Sequence, residues 1–264
     1  MPETTRDRRR LHYEAEGEGR TVVLIPGIGS GRKLFGTLPR RFARAGLRCV
    51  TFDPVGVPPS SPHEADDYDF AAAADDVWAV ADAAGADQVD LVGTSLGGKV
   101  GLVAAARAPQ RARSLVMLGS ATAVGARAER VYRFFATVAE KLDPEDFGTV
   151  IAPFLFGSTF HAERPQLVDD IVRAIRPGPE VRRLMAAQAR GLRAFDPAPW
   201  IALWRGPTLC LAGGEDTLTP PAEVRATATS LANARYVEIP DAGHSLLLES
   251  RRVFDEVLAF LGAL

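Results

Sequence analysis

Residues 90–109 read DLVGTSLGGKVGLVAAARAP and join two patterns at one serine. The first part is an apolar run that predicts a buried strand, and the small residues that follow predict a helix. Gly93 and Gly97 flank Ser95 at two residues on either side. Glycine lets a strand and a helix close on each other where any Cβ would collide. A sharp turn of this kind lifts a serine hydroxyl clear of the sheet, so the stretch indicates either a nucleophilic serine or a purely structural turn.

Strand and helix patterns alternate on both sides of this stretch, which is typical of a mostly parallel sheet with helices on both faces. We therefore expect an α/β fold with a mostly parallel central sheet. Besides the helix after Ser95, the predicted helices are 37–46, 70–84, 221–231 and 246–262. The predicted strands are 11–17, 21–27, 47–53, 88–93, 112–119, 207–214 and 234–240.

Residues 120–203 interrupt the alternation. They carry several helical periods and no convincing strand. An all-helical insertion in such a sheet is most simply a cap over the C-terminal edge, where these folds bind ligands. The predicted organisation is an α/β core of residues 1–119 and 204–264 with a helical cap of residues 120–203.

Composition excludes several classes of partner. The 264 residues carry a formal net charge of −2, and 47% of them are hydrophobic. No basic excess indicates nucleic acid or an anionic membrane surface as a partner. The polar first ten residues lack the apolar segment of a secretion signal, and no apolar run is long enough to span a bilayer. We therefore expect a cytoplasmic protein with no membrane partner.

The cysteines and histidines do not suggest a metal site. Cys49 and Cys210 lie inside apolar, strand-like runs, so we expect them to be buried and separate. His12, His63 and His161 are expected at the surface or in loops, and the histidines show no metal-ligand spacing. We expect neither a metal nor another cofactor.

A nucleophilic serine needs a base to take its proton and a carboxylate to orient that base. Asp216 follows the predicted strand 207–214, and His244 follows the next strand. The order Ser, Asp, His is the one expected on this scaffold, with all three groups at the same sheet edge. Glu215 and Asp241 are rival acids. The position of Glu215 would point it away from the histidine, and Asp241 is better placed to shape the turn.

Over nearly its full length the chain resembles the α/β-hydrolase superfamily, and its layout is similar to small capped hydrolases such as 3-oxoadipate enol-lactonases and related esterases. The resemblance implies that Ser95 is the nucleophile, Asp216 the acid and His244 the base. It also implies that the loop of residues 26–30 contributes the backbone N–H of Ile28 to an oxyanion hole, with the N–H of Leu96 as the second donor.

Two stretches depart from the pattern of this family. Pro26-Gly27 stands where the family usually has His-Gly. The family turn D-x-R-G-x-G-x-S appears as residues 53–60, DPVGVPPS, without the arginine and the second glycine. That arginine is generally structural in the family, so we expect a reshaped loop near the substrate entrance with the chemistry retained.

Two residues of the insertion are candidates for contacting substrate. Arg133 is placed to reach a substrate carboxylate, although a solvated helix face is the simpler interpretation of its position. Phe134 is a candidate for lining the pocket, although the insertion's own core is again simpler.

The sequence leaves three functional hypotheses. The first is a cofactor-independent serine hydrolase that acts on a carboxylic ester, lactone or thioester. The second uses the same residues for elimination, cyclisation or C–C cleavage, as a lyase or biosynthetic tailoring enzyme. The third is a ligand-binding relative without turnover. For all three we expect a small-molecule partner of moderate size, largely apolar or cyclic. Whether the chain forms a homo-oligomer stays open.

Overall fold

The computed structural model describes residues 2–122 and 125–264, and within these ranges the chain forms eight strands and twelve helices. The strands are β1 Glu3–Arg6, β2 Arg9–Glu16, β3 Arg20–Ile25, β4 Leu47–Asp53, β5 Val89–Thr94, β6 Ala112–Leu118, β7 Thr208–Gly213 and β8 Ala234–Ile239. The helices are α1 Leu38–Arg44, α2 Phe70–Ala83, α3 Leu96–Arg107, α4 Ala126–Lys141, α5 Pro144–Leu155, α6 Ser158–Glu163, α7 Pro165–Ala174, α8 Pro179–Ala194, α9 Ala198–Leu203, α10 Pro221–Ser230, α11 Leu246–Glu249 and α12 Arg251–Gly262.

All eight strands form one sheet in the order β1-β2-β4-β3-β5-β6-β7-β8. The six strands from β4 to β8 along this order pair in parallel, whereas β1 and β2 are antiparallel at one edge. The predicted mostly parallel α/β sheet is confirmed. The sequence analysis missed β1, because its residues are polar and at least partly exposed, without the apolar alternation that marks a half-buried strand.

Both faces of the sheet are buried, as the alternation of β3 shows. Val23 and Ile25 belong to one apolar cluster, which also contains buried residues of α2, α3 and α10. Val22 and Leu24 belong to a second cluster on the opposite face, with buried residues of α1 and α12. Successive side chains of a strand point to opposite faces, so a strand buried on both sides reads as the continuous apolar run seen here.

The chain between β6 and β7 holds six helices, α4 to α9, which we call the helical segment. Its described residues include no strand. Buried side chains of α4, α5 and α8, among them Phe135, Phe147 and Met185, form an apolar cluster that also contains Leu218, just beyond β7. At the other end, α9 packs against α3 of the sheet layer. The division into a core and a cap at residues 120–203 stays a prediction.

Two local expectations were wrong. His12 was predicted at the surface or in a loop, but it lies in β2 with 1% of its surface exposed. The register of β2 against β4 places it opposite Asp53, and the two side chains are 3.1 Å apart. The single helix predicted over 246–262 is divided into α11 and α12 at Ser250, whose backbone is extended.

The two cysteines, Cys49 and Cys210, are buried and free, as expected. Burial raises the pKa of both thiols, that of Cys210 to about 12. Across residues 2–122 and 125–264, no helix combines the length and apolar character that crossing a bilayer requires.

Candidate active site

Ser95 forms the junction between β5 and α3. Its backbone has φ 54° and ψ −119°, a left-handed conformation that is strained for any residue with a side chain. The neighbouring glycines permit this turn: a Cβ on Gly97 would overlap the carbonyl oxygen of Ile25, and a Cβ on Gly93 would overlap that of Gly97. The predicted sharp turn is therefore present, and it leaves Ser95 on the wall of a cavity.

Asp216 and His244 meet at the same edge of the sheet. Asp216 follows β7 and His244 follows β8, and Nδ1 of His244 lies 2.8 Å from Oδ2 of Asp216. The other oxygen, Oδ1, accepts hydrogen bonds from the N–H groups of Leu218 at 2.8 Å and Thr219 at 2.9 Å. Burial by itself would raise the pKa of Asp216, but the charge interaction and hydrogen bond with His244 and the bonds from Thr219 lower it below its usual value. The carboxylate is thus held ionised beside the imidazole.

Thr219 and Gly119 complete the surroundings of this pair, and the sequence analysis did not single them out. Oγ1 of Thr219 lies 2.7 Å from Oδ2 of Asp216, 3.3 Å from Nδ1 of His244 and 2.8 Å from the carbonyl oxygen of Gly119. Gly119 has φ 52°, and a Cβ there would lie 3.4 Å from both Asp216 Oδ2 and His244 Nδ1. The sequence offered one signal for the role of Thr219, namely its position three residues after Asp216.

The rival acids have other surroundings. Glu215 accepts hydrogen bonds from Thr159 of α6, and Asp241 is exposed. A further carboxylate, the half-buried Glu249, was not considered from sequence. Its Oε2 accepts the N–H of Gly243, next to His244, at 2.8 Å and the N–H of Gly157 in the helical segment at 2.9 Å. Burial raises the pKa of Glu249, although these two N–H groups partly offset the effect.

Ser95 and His244 line the same cavity, of about 1010 Å³. Among the described residues no hydrogen bond joins Ser95 Oγ to the imidazole, whose Nδ1 is held by Asp216. Such bonds are often long without a substrate and shorten when one binds. The structure thus places all three predicted residues at one edge of the sheet and shows direct contact for the Asp216–His244 pair.

The loop of residues 26–30 passes beside the serine. A Cβ on Gly27 would lie 3.4 Å from the Cβ of Ser95, so the loop runs in van der Waals contact with it. The N–H of Gly29 donates to Oε1 of Gln188 at 2.8 Å. The hydrogen bonds recorded for residues 2–122 and 125–264 include none donated by the N–H of Ile28 or Leu96. Both predicted oxyanion donors are therefore free to bind an oxygen atom.

The altered turn at residues 53–60 has a basic partner from elsewhere in the chain. Asp53 accepts hydrogen bonds from the N–H of Arg32 at 2.9 Å and from its Nε at 3.1 Å. Arg32 lies just after the 26–30 loop. Its guanidinium stands beside Asp53, whereas the turn itself lacks the arginine of the family pattern. Ser60 also binds this aspartate, through its Oγ and the carbonyl oxygen of Asp53 at 2.6 Å.

The structure does not bring Arg133 or Phe134 to the cavity. Arg133 is exposed and pairs with Glu129 one helical turn away, at 2.8 Å. Phe134 packs against Phe135 and Phe154, with ring centroids 5.6 Å and 5.2 Å apart. Among the described residues, Phe135 lines the cavity, whereas Arg133 and Phe134 do not. These positions agree with the simpler alternatives, a solvated helix face and the core of the insertion.

The cavity is mostly apolar. Its apolar lining includes Phe135, Phe147, Ile151, Leu155, Met185 and Leu192. Among residues 2–122 and 125–264, no group of three or more His, Cys, Asp or Glu side chains is placed to hold a metal ion. The arrangement offers a hydroxyl on a strained turn, an oriented imidazole and two free N–H groups, which together suit nucleophilic attack on a carbonyl.

Comparisons with known proteins agree with this architecture. The family model described as alpha/beta hydrolase fold matches residues 20–250. The chain is similar to the putative carbamate hydrolase RutD of Variovorax paradoxus, at 29% identity over 251 residues that cover 94% of each protein. A thermophilic esterase from Thermogutta terrifontis is 25% identical with a TM-score of 0.84, over 98% of this chain and 96% of the esterase. The enol-lactonase from Burkholderia xenovorans LB400 shares the fold, with 23% identity and a TM-score of 0.88 over 99% and 100% of the two chains.

Proposed function

Since the chain belongs to the alpha/beta hydrolase fold family, we propose that it is a serine hydrolase that cleaves a carboxylic ester, lactone or thioester through Ser95, His244 and Asp216. The observation that carries the proposal is the 2.8 Å contact of Asp216 with His244, in the cavity that Ser95 lines from a strained turn. The carbamate hydrolase and esterase among the relatives support hydrolysis of a carbonyl compound.

In the first half of the reaction, Ser95 Oγ attacks the substrate carbonyl carbon and its proton passes to Nε2 of His244. Asp216 keeps the proton on Nδ1, so that Nε2 is the nitrogen available as base, and its charge stabilises the imidazolium that forms. The carbonyl oxygen becomes an oxyanion and accepts the N–H groups of Ile28 and Leu96. Donors of this type contribute about 10²–10³-fold to kcat each.

Collapse of the tetrahedral intermediate breaks the bond to the leaving group, which takes the proton from His244. The acyl group stays bonded to Ser95. Water then gives a proton to His244 and attacks the same carbonyl carbon. The bond from that carbon to Ser95 Oγ breaks, His244 returns the proton to Oγ, and the acid product leaves. The mostly apolar cavity of about 1010 Å³ suits a small molecule of moderate size.

Labelling with a fluorophosphonate probe tests this proposal. The probe forms a covalent bond with an activated serine, and mass spectrometry of the digested protein identifies the modified residue. We expect the adduct on Ser95 and none on Ser95→Ala. Ser230→Ala, which changes a serine of α10 outside the described cavity lining, is the matched control and should be labelled like the unchanged protein. Folded protein that is not labelled at Ser95 would refute the proposal.

The altered loops at residues 26–30 and 53–60 favour one alternative, in which the same residues catalyse elimination, cyclisation or C–C cleavage. Both loops lie at the cavity, so a changed shape there acts on the reacting part of the substrate. Product analysis with esters, lactones and β-acyloxy compounds separates hydrolysis from elimination and cyclisation, because only hydrolysis incorporates an oxygen atom from water into the acid product. Hydrolytic C–C cleavage also incorporates that oxygen and is recognised instead by the broken carbon–carbon bond in its products. Turnover without that incorporation would favour elimination or cyclisation.

A further inference from the structure

Lys99 places a charged side chain on the buried wall of the cavity. It lies on α3, four residues after Ser95, and residues at this spacing share one face of a helix. Only 2% of its surface is exposed, and it lines the same cavity as Ser95 and His244. Burying an ammonium group is expensive unless an opposite charge or hydrogen bonds compensate it.

Among the described residues, Lys99 has no such partner. It forms no ion pair and no side-chain hydrogen bond with them, and its Nζ lies 5.9 Å from the ring centroid of Tyr132, at the limit for a cation–π contact. The buried aspartates differ in this respect, since each faces a basic side chain. These pairs are Asp53 with Arg32, Asp76 with Arg6, Asp90 with Arg20 and Asp216 with His244.

The other basic residues of the cavity wall do not share this position. Arg32 pairs with Asp53 and Glu14, and Arg176 pairs with Glu145. The Lys33 side chain is exposed to solvent. Within the described part of the chain, Lys99 is therefore the buried cation of the cavity that lacks a counter-ion from the protein.

We propose that Lys99 binds a carboxylate on the acyl part of the substrate, which makes the substrate class half-esters or half-thioesters of short dicarboxylic acids. This inference rests on the proposed hydrolase function. The substrate carboxylate supplies the missing counter-charge, and the apolar wall holds the carbon chain between the two functional groups.

Geometry favours the acyl part over the leaving group. The leaving group takes its proton from His244, so it lies toward the loops after β7 and β8. The acyl group stays bonded to Ser95, and Lys99 is on the helix that begins at that serine. Because Lys99 is only four residues from Ser95, about 6 Å along a helix axis, we take the carbon chain between the two functional groups to be short.

Two esters with the same leaving group and chain length test the inference: p-nitrophenyl hydrogen adipate, with a terminal carboxylate, and p-nitrophenyl hexanoate, with a terminal methyl group. After subtraction of spontaneous hydrolysis, we expect a higher kcat/KM for the adipate ester. Lys99→Met keeps the length of the side chain and removes its charge. It should lower kcat/KM for the adipate ester by about 10- to 100-fold, and change that for the hexanoate ester by less than about threefold.

Lys141→Met is the matched control, because Lys141 is an exposed lysine at the end of α4. It should leave both values unchanged. Equal kcat/KM for the two esters in the unchanged protein, or equal losses for both in Lys99→Met, would overturn the inference, because a structural role of Lys99 would affect both substrates alike.

A binding measurement separates this inference from the hydrolase proposal. Adipate should raise the Tm of Ser95→Ala, and should not raise that of the Ser95→Ala, Lys99→Met double variant. If neither ester is hydrolysed and adipate still stabilises through Lys99, the hydrolase proposal fails and the carboxylate site stands. If the esters are hydrolysed and adipate does not stabilise Ser95→Ala, the carboxylate site is refuted and the hydrolase proposal stands.

Discussion

Thr159 donates two hydrogen bonds to Glu215, one from its N–H at 2.9 Å and one from Oγ1 at 2.7 Å. The hydrogen bond from the Thr159 hydroxyl is the largest of the effects that lower the pKa of Glu215. Glu215 therefore binds α6 of the helical segment, whereas the next residue, Asp216, binds His244. Two adjacent carboxylates at the end of β7 thus have different partners.

The first prediction separates these carboxylates by activity. Asp216→Asn keeps the volume of the side chain, removes its charge and disturbs the tautomer of His244, so we expect kcat/KM to fall by about 10⁴-fold. Glu215→Gln and Asp241→Asn should each cost about tenfold at most, because neither carboxylate contacts the imidazole. The measurement is kcat/KM on one activated ester, with folding checked by circular dichroism. An active Asp216→Asn beside an inactive Glu215→Gln or Asp241→Asn would contradict our choice of acid.

The second prediction concerns stability and pH. The pKa of Asp216 is lowered from its ordinary value of 3.8 in the folded state, so the unfolded chain binds this proton more readily. The stabilising contribution of Asp216 is therefore present above about pH 3.8 and is lost as the pH falls through the lower, folded-state pKa. We expect Asp216→Asn to have a smaller free energy of unfolding than the unchanged protein at neutral pH, and the difference to narrow below about pH 4.

Urea titrations at a series of pH values measure this difference. Asp241→Asn serves as the control, because Asp241 is exposed, and its difference from the unchanged protein should stay small at every pH. A difference for Asp216→Asn that is constant down to about pH 2.5 would mean that its carboxylate does not have a lowered pKa.

The third prediction concerns the turn at Ser95. Because a Cβ on Gly97 would overlap the carbonyl oxygens of Ile25 and Pro26, Gly97→Ala should lower the free energy of unfolding by about 3 kcal/mol or more. Gly262→Ala is the control. No heavy atom lies within 4 Å of its added Cβ, so the change should be within about 1 kcal/mol of zero. Equal stability of the two variants in urea titrations would show that the backbone relaxes around the added methyl group.

The fourth prediction concerns the helical segment. If it covers the site as a cap, its amide hydrogens should exchange faster than those of strand residues 90–93 and 208–212, because small helical units open more readily than a sheet core. Reaction of Ser95 with a fluorophosphonate should slow exchange in the segment, since the bound group fills the cavity beneath α4 and α5. Equal protection in the segment and the strands would mean that the segment is an integral part of the core.

Patterns close together in the chain predicted most of the fold. The apolar runs of β3 to β7 were visible because each of these strands is mostly buried on both faces, and the periods of the helices around them were visible as well. The turn at Ser95 was predictable because the glycines that permit it lie close to it in the sequence. The meeting of the loops after β7 and β8 at one edge of the sheet was predictable because these two strands pair in parallel. The Ser95–His244 geometry and the roles of the three residues stay predictions.

Features that depend on register were not predictable from sequence. His12 is buried because β2 pairs with β4 so that it faces Asp53, and nothing in the polar stretch around His12 specifies that register. Arg32 and Asp53 are twenty-one positions apart and are joined only by the fold. The sequence could not show whether Arg133 or Phe134 reaches the cavity. The face of α4 that lines the cavity depends on how this helix packs against α8.

Glu249 gives two distant parts of the chain one hydrogen-bond acceptor. Its Oε2 holds Gly157 of the helical segment and Gly243 beside His244 at the same time. A movement of the segment away from the sheet would remove the N–H of Gly157, one of the backbone groups that offset the burial of this carboxylate. If the segment moves as a cap, its position and the order of the histidine loop are thermodynamically linked, and by reciprocity a ligand that fixes His244 also favours the segment position in which Gly157 binds Glu249. Under that condition, a single equilibrium would control both access to the cavity and the placement of the His244 imidazole.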